Sequence, residues 1–165
     1  MVSIPDVKSA KLNITSIAAI ELGIVPTFQS FADVVALERK ARELGAEIEQ
    51  IKGEGLERGS TWSIKASIRN KQRVFRLEIR DVQGPNFLTA NLSSERFLSQ
   101  TQFTFKQKDT DLTQVKVDLK VMPRTLGARL ALHGLRLTRH RQKRRLTRGL
   151  RKLCRYLEAT HGAKI

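Results

Sequence analysis

One long segment near the C-terminus, Pro123 to His161, constrains the fold of this chain more than any other. Leucines recur in it at the spacing that places side chains on one stripe of an α-helix: Leu135, Leu146, Leu150, Leu153 and Leu157. Most of the other positions between these leucines are Arg or Lys. The pattern predicts one long amphipathic helix whose apolar stripe packs against the rest of the protein.

The charge of the chain is concentrated in this segment. Residues 119–157 hold 13 of the 31 Lys and Arg residues and no Asp or Glu, whereas the rest of the chain is nearly neutral. Such a field attracts phospholipid head groups, nucleic acid or an acidic protein, and a basic face that is merely hydrated is an equally open interpretation. The residues expected to face an anionic surface are Arg141, Arg144, Arg145, Arg148, Arg151, Lys152 and Arg155.

An anionic membrane is the preferred partner of this face, and nucleic acid is the alternative. Each Lys or Arg near an anionic leaflet contributes about 1 kcal/mol, so about four or five on one face suffice for reversible attachment. Nucleic-acid binding is disfavoured because Tyr156 is the only aromatic residue among the arginines, so no platform for base stacking accompanies the charge.

A second apolar set in the same segment, Leu126, Leu130 and Leu137, lies opposite the main stripe. A helix over residues 124–160 would be roughly 55 Å long, more than the width of a domain of this size, so we expect a kink, most readily at Gly134. If the kink turns the second set inward, these leucines are core. If they are exposed beside the arginines, they form a membrane-surface patch or an oligomer interface. The sequence does not predict the oligomeric state.

Length and composition are those of one globular domain. We expect a single domain over residues 1–165, with loose ends at 1–7 and 162–165. The single Cys154 cannot form an internal disulfide, which is compatible with a reducing cytosol, and we expect it to be a small buried hydrophobe. No apolar run reaches the ~18 residues of a membrane span, and Leu12 to Val25 lacks the pattern of a signal peptide, so the sequence predicts a cytoplasmic protein that is at most peripheral to a membrane.

The rest of the chain predicts strands around two short helices. A first strand over Ala10 to Glu21 precedes helices at Pro26 to Ala32 and Val34 to Leu44, the second capped by Asp33. Six strands then alternate with a period of two, at Ala46 to Ile51, Trp62 to Ile68, Phe75 to Ile79, Phe87 to Ser93, Phe97 to Gln107 and Val115 to Val121. Sequential strands with short turns favour an antiparallel sheet, and the terminal helix should cover its concave face, which makes an α+β fold.

Three short motifs give the chain a resemblance to a known superfamily. They are Pro26 with Phe28-Gln-Ser-Phe31-Ala-Asp33, then Arg42-Glu-Leu-Gly45-Ala-Glu-Ile48, then Val121-Met-Pro123-Arg124-Thr-Leu126. Over about residues 8–161 the chain is similar to the SRPBCC superfamily of START-like lipid-transfer domains and polyketide cyclases, and most of all to a small bacterial branch with Arg-rich last helices. The resemblance implies a helix-grip fold, in which a curved seven-stranded antiparallel sheet wraps around a long C-terminal helix and two short helices lie between strands 1 and 2.

The resemblance also implies a cavity between the sheet and the last helix, used for hydrophobic ligands such as lipids, quinones or polyketides. Two interpretations of the sheet aromatics are open, because core packing and cavity lining use the same residue types. The residues predicted to line the cavity are Trp62, Ile64, Phe75, Leu77, Phe87, Phe103, Phe105, Val117, Leu119 and Leu135.

Two polar residues of the helix, Arg139 and Gln142, fall on the stripe that should meet the sheet. In one interpretation they reach into the cavity and hydrogen-bond a ligand, since a buried guanidinium must be paired. In the other, which we prefer, Arg139 extends to water or pairs with Glu78 or Glu95.

No catalytic constellation and no metal or cofactor site is predicted. His133, His140 and His161 are too widely spaced for a compact metal-ligand set, and no phosphate-binding loop or nucleophile elbow is present. The preferred function is therefore binding or transport of a hydrophobic small molecule, with the basic helix face docked to an anionic surface. The alternatives are a cyclase or dehydratase acting on a polyketide-like substrate and nucleic-acid binding through the Arg-rich helix.

Overall fold

Seven strands and four helices occupy most of residues 11–163, the part of the chain that the computed structural model describes. In chain order they are β1 (Leu12–Ile20), α1 (Ile24–Phe31), α2 (Val34–Glu43), β2 (Glu47–Lys52), β3 (Thr61–Ile68), β4 (Lys71–Gln83), β5 (Phe87–Ser93), β6 (Phe97–Asp109), β7 (Leu112–Pro123), α3 (Leu126–Leu137) and α4 (Arg139–Ala163). The predicted order of one strand, two helices, six strands and a terminal helical segment is confirmed. The expected loose ends at 1–7 and 164–165 lie outside the described residues, and residues 162–163 continue α4.

The seven strands form one antiparallel sheet in the order β1-β7-β6-β5-β4-β3-β2. One row across its inner face runs from Ser16 through Val117 and Phe103 to Leu88. The predicted α+β helix-grip architecture is confirmed. Bulges in the β2–β3, β4–β5 and β6–β7 ladders interrupt the register, and such bulges bend strands and increase their twist.

Helix α4 is fixed to the edge strand β1, along which it runs. Leu150 and Leu157 are buried against the sheet. The hydroxyls of Ser16 and Thr147 are hydrogen-bonded at 2.6 Å, and the Glu158 carboxylate accepts a 2.8 Å hydrogen bond from the backbone N–H of Glu21. Apolar packing and these polar links together hold the helix at one side of the sheet.

The two short helices close the other end of the inner face. Helix α1 begins at Ile24, with Pro26 in its first turn, and its Phe31 packs on Phe103 and Phe105 with ring centroids 5.5 and 5.1 Å apart. Helix α2 is capped as predicted, because the Asp33 carboxylate accepts a hydrogen bond from the backbone N–H of Ala36 at 3.1 Å.

The terminal segment is two helices, so the expected interruption is present, but its predicted position is wrong. The break lies at Thr138, where φ is −108° and ψ is 32°, and not at Gly134. The Thr138 hydroxyl donates back to the Leu135 carbonyl at 3.3 Å, while its own carbonyl accepts from the backbone N–H of Arg141 at 2.9 Å. Thr138 thus ends α3 and starts α4.

The leucines of helix α3 differ strongly in solvent exposure. Leu132 is 0% exposed beside Leu12 and Ile14, whereas Leu130 is 77% exposed. We expect Leu132→Ala to lower the free energy of unfolding by about 2–5 kcal/mol through lost transfer energy and a residual cavity. Leu130→Ala is the matched control and should change it by about 0.5 kcal/mol or less. Urea unfolding monitored by circular dichroism measures both, and equal losses would contradict this assignment of the core.

Candidate functional site

The middle of the inner sheet face is only partly covered. Because α4 runs along β1, the side chains that strands β3 to β7 turn toward the helical side are half-buried near the sheet centre. We call this set the concave patch; its members are Ile64, Phe75, Leu77, Leu92, Ser99, Thr101, Phe103 and Leu119. The register places them together, since Leu92 pairs with both Leu77 and Ser99, and Thr101 pairs with Leu119.

Toward α1 and α2 the same face is filled. Trp62, Phe105 and Val117 are each 3% exposed and belong to the core, so these three predicted cavity residues do not offer a free surface. The indole N–H of Trp62 donates to the Glu38 carboxylate of α2 at 2.9 Å, which satisfies its polar atom inside the protein.

Phe87 lies on the opposite face of the sheet, and its placement in the cavity wall is wrong. It pairs with Thr104, which in turn pairs with Lys116 on the outer side, and Phe87 is 37% exposed. Its neighbour Leu88 points inward and is buried. The aromatic side chain of Phe87 suggested a position in the cavity wall. The alternation of side chains along β5, however, places it on the outer face of the sheet.

The concave patch continues into a groove at one end of the sheet. This groove, with a volume of about 670 Å³, lies between the β3–β4 hairpin and the turn that joins β5 to β6. Its apolar walls include Ile68, Phe75 and Phe97. Its rim carries the basic residues Arg69, Lys71, Arg73 and Arg96. The volume is in the usual range of small-molecule sites.

The three predicted site residues of the terminal helices have different positions. Leu135 is half-buried and packs on the small core cluster of Leu12, Ile14 and Leu132. Arg139 is exposed. It is the first residue of α4 and lies about 10 Å along the axis before Leu146, which packs on the cluster of Leu12, Ile14 and Leu132.

The side-chain amide of Gln142 forms a hydrogen bond at the junction between the two helices. It donates to the Thr138 hydroxyl at 3.3 Å. Gln142 thus has a hydrogen-bond partner within the terminal helical segment. Glu78, one of the proposed partners of Arg139, is paired with Arg80 at 3.0 Å instead.

The seven cations predicted to meet an anionic surface are exposed along α4. Five of them, Arg144, Arg148, Arg151, Lys152 and Arg155, line a shallow groove of about 760 Å³ along the helix. Arg141 and Arg145 are exposed but do not line it. Within residues 11–163, none of the seven forms an ion pair with a carboxylate.

Sequence reasoning missed Leu92, Ser99 and Thr101 in the concave patch and Ile68 in the groove wall. A signal for Leu92 was present in β5, where Leu88, Ala90 and Leu92 form the apolar alternate set. Ser99 and Thr101 lie on the same face of β6 as its aromatic residues. Because their side chains are polar, residue type did not indicate that they face inward.

Two further observations concern metals and membranes. Within the described part of the chain, no three or more His, Cys, Asp or Glu side chains are grouped so that they could hold a metal ion. No helix between residues 11 and 163 combines the length and the apolar run needed to cross a bilayer.

Comparison of this structure with solved structures identifies the fold. A conserved protein from Geobacillus kaustophilus matches with a TM-score of 0.67 and 13% identity, over 90% of this chain and 97% of the other. The Zhui aromatase/cyclase from Streptomyces matches with a TM-score of 0.65 and 10% identity, over 90% and 94%. This chain has the helix-grip fold.

A major latex-like protein from Panax ginseng also shares the helix-grip fold, with a TM-score of 0.57 and 13% identity over 79% of this chain and 94% of the other. No protein-family model matches the sequence, and no curated protein matches it. The likeness is therefore one of fold, and the chemistry of the site must be argued from its own residues.

Cys154, the only cysteine, is a buried residue at the interface of α4 with the sheet, as predicted. Burial, together with the negative charge of Glu158, raises the pKa of its thiol from 9.0 to about 11. A thiol of this kind is protonated and unreactive near neutral pH.

The raised thiol pKa predicts a loss of stability in alkali. Between pH 9 and 11 the thiol is deprotonated in the unfolded chain but still protonated in the folded one, so unfolding becomes more favourable as pH rises. Urea unfolding at several pH values should show the free energy of unfolding of the wild type falling faster than that of Cys154→Ala, by up to about 2–3 kcal/mol over this range. If the free energies of unfolding of the two proteins fell equally with pH, the raised thiol pKa would be refuted.

Proposed function

We propose that this protein binds or carries a hydrophobic small molecule, such as a lipid, quinone or polyketide-like compound, on the concave patch and in the groove that continues it. The observation that carries the proposal is the group of apolar side chains that stays half-buried on the inner sheet face, although one of them, Phe103, packs against Phe31 of α1. An apolar ligand would remove this surface from water, at roughly 25 cal/mol per Å² of apolar area.

The concave patch favours binding over catalysis. Its polar groups are the hydroxyls of Ser99 and Thr101, and Ser99 already donates to the Leu92 carbonyl at 3.3 Å. The patch itself contributes no ionisable side chain that could act as general acid or base. The alternative of a cyclase or dehydratase has support from the fold of the Streptomyces aromatase/cyclase but from no residue of this patch.

Ligand binding is tested by filling the patch. We expect Leu77→Trp to weaken binding of the neutral fluorescent probe Nile red by about tenfold, because the indole occupies the space that the ligand needs. Arg76→Trp, the adjacent residue on the outer face of β4, is the matched control and should bind as the wild type does. Equal probe binding by both variants would place the ligand elsewhere.

A stability measurement on the same variants tests whether the patch has free space. Insertion of a larger side chain into a packed core costs about 1–3 kcal/mol, so Leu77→Trp should lower the free energy of unfolding by less than this range if the patch is open. Mass spectrometry of organic extracts from the purified protein would then identify a natural ligand.

We further propose that the exposed cations of α4 dock the protein on an anionic surface, with a membrane preferred over nucleic acid. No carboxylate within residues 11–163 pairs with these cations, so their charge is available to a partner.

Charge reversal tests this docking. Arg144→Glu with Arg148→Glu should abolish cosedimentation with phosphatidylglycerol-containing vesicles, and high salt should release the wild type, because both remove Coulombic attraction. Arg39→Glu with Arg58→Glu is the control of equal net charge and should still bind. Sub-micromolar binding to duplex DNA at moderate salt, with no binding to vesicles, would instead favour the nucleic-acid alternative.

A further inference from the structure

Helix α3 carries an apolar face that no described part of the chain covers. Leu126, Leu130 and Leu137 are 77%, 77% and 80% exposed. At about 100° per residue they lie within roughly 40° of one another and nearly opposite the buried Leu132 and Ala128. Helix α3 is thus apolar on two sides, of which one faces the core. We call the exposed side the leucine face.

Basic side chains lie along one side of the leucine face and at the end of α3 that follows it. Arg129 and Arg136 lie about 60–80° from Leu126 around the same helix, and the exposed Arg139 and Arg141 follow in the first turn of α4. No Asp or Glu occurs between residues 119 and 157. Any partner of the leucine face must therefore accept apolar side chains and carry negative charge.

The start of α3 is tied to the rim of the proposed ligand groove. The backbone N–H of Arg124 donates to the Arg96 carbonyl at 2.8 Å, and its guanidinium donates to the Ser94 carbonyl at 2.8 Å. Ser94 and Arg96 belong to the β5–β6 turn that forms one wall of the groove. On the other wall, the β3–β4 hairpin exposes Ile68 by 47% and Val74 by 56%. Exposed apolar residues thus stand on both sides of the groove mouth.

An anionic bilayer satisfies these requirements better than a second copy of the chain. A symmetric dimer through the leucine face would bring the arginines of α3 and α4 against those of its partner, and like charges oppose such contacts. A helix with leucines on one side and arginines beside them is suited to the interface between lipid head groups and acyl chains.

We propose that the leucine face of α3 inserts into the interfacial layer of an anionic phospholipid bilayer, with the neighbouring arginines on the lipid phosphates. This inference extends the docking and ligand-binding functions proposed above. Docking in this way brings the groove mouth to the membrane surface. An apolar ligand then passes between bilayer and groove without crossing bulk water.

The test compares two triple variants. In the first, the leucine face is replaced by Leu126→Gln, Leu130→Gln and Leu137→Gln. In the second, the control, three exposed apolar residues of α2 and β2 and their junction are replaced by Val35→Gln, Leu44→Gln and Ile51→Gln, sites that are 66%, 77% and 53% exposed. Both leave the net charge unchanged. We expect the first to lose about tenfold or more in affinity for phosphatidylcholine vesicles that contain phosphatidylglycerol, and the second to bind like the wild type.

A depth measurement separates insertion from surface attachment. An environment-sensitive fluorophore at Leu130→Cys, in a chain that also carries Cys154→Ala, should shift to the blue on vesicle addition and be quenched by lipids with spin-labelled acyl chains. The same fluorophore at Leu44→Cys should do neither.

Each other outcome would overturn the inference. Wild-type affinity of the leucine-face variant would leave electrostatic docking intact and refute insertion. A dimer in sedimentation velocity that this variant abolishes, with no vesicle binding by the wild type, would assign the leucine face to a second copy. Nile red binding is measured in the absence of vesicles. That measurement tests the ligand-binding proposal independently of membrane insertion.

Discussion

The attachment of α4 to the edge strand β1 determines where this protein has free inner surface. Leu146 and Leu150 pack on the sheet, and the hydrogen bonds of Thr147 and Glu158 fix the helix beside β1. A helix held at the edge leaves the sheet centre half-covered, whereas α1 and α2 close the end around Trp62 and Phe105. One sheet face is therefore a packed core at one end and an apolar groove at the other.

Much of this fold could be predicted from the sequence because its signals are local. The alternation in β1, with every second side chain buried, the Asp33 cap and the leucines of α4 each follow from a single element. The break at Thr138 was not predicted, because it depends on hydrogen bonds that the threonine makes to both neighbouring helices. Gly134 was the stronger local signal for a kink, because glycine is flexible. In the structure it is an ordinary residue inside α3.

The site was less predictable because it depends on how elements are positioned relative to one another. Residue type cannot separate Trp62, which is core, from Phe75, which is half-buried at the groove, since burial depends on where α1, α2 and α4 lie. Arg139 has the angular position of a buried residue of α4 but is exposed at the first position of that helix. Phe87 was a different kind of error, as the neighbouring apolar set of Leu88, Ala90 and Leu92 already indicated the inner face of its strand.

The pairing of β1 with β7 sets a condition on how the protein can fold during synthesis. Strand β1 hydrogen-bonds to β7, and Ser16 contacts Thr147 across 131 positions in sequence. Strand β1 leaves the ribosome first but has no partner until β7 and then α4 emerge, at about 5–20 residues per second. Its apolar residues Leu12, Ile14 and Ile20 stay exposed throughout that interval. Because these contacts join residues far apart in sequence, they form late, and contacts of this kind slow folding.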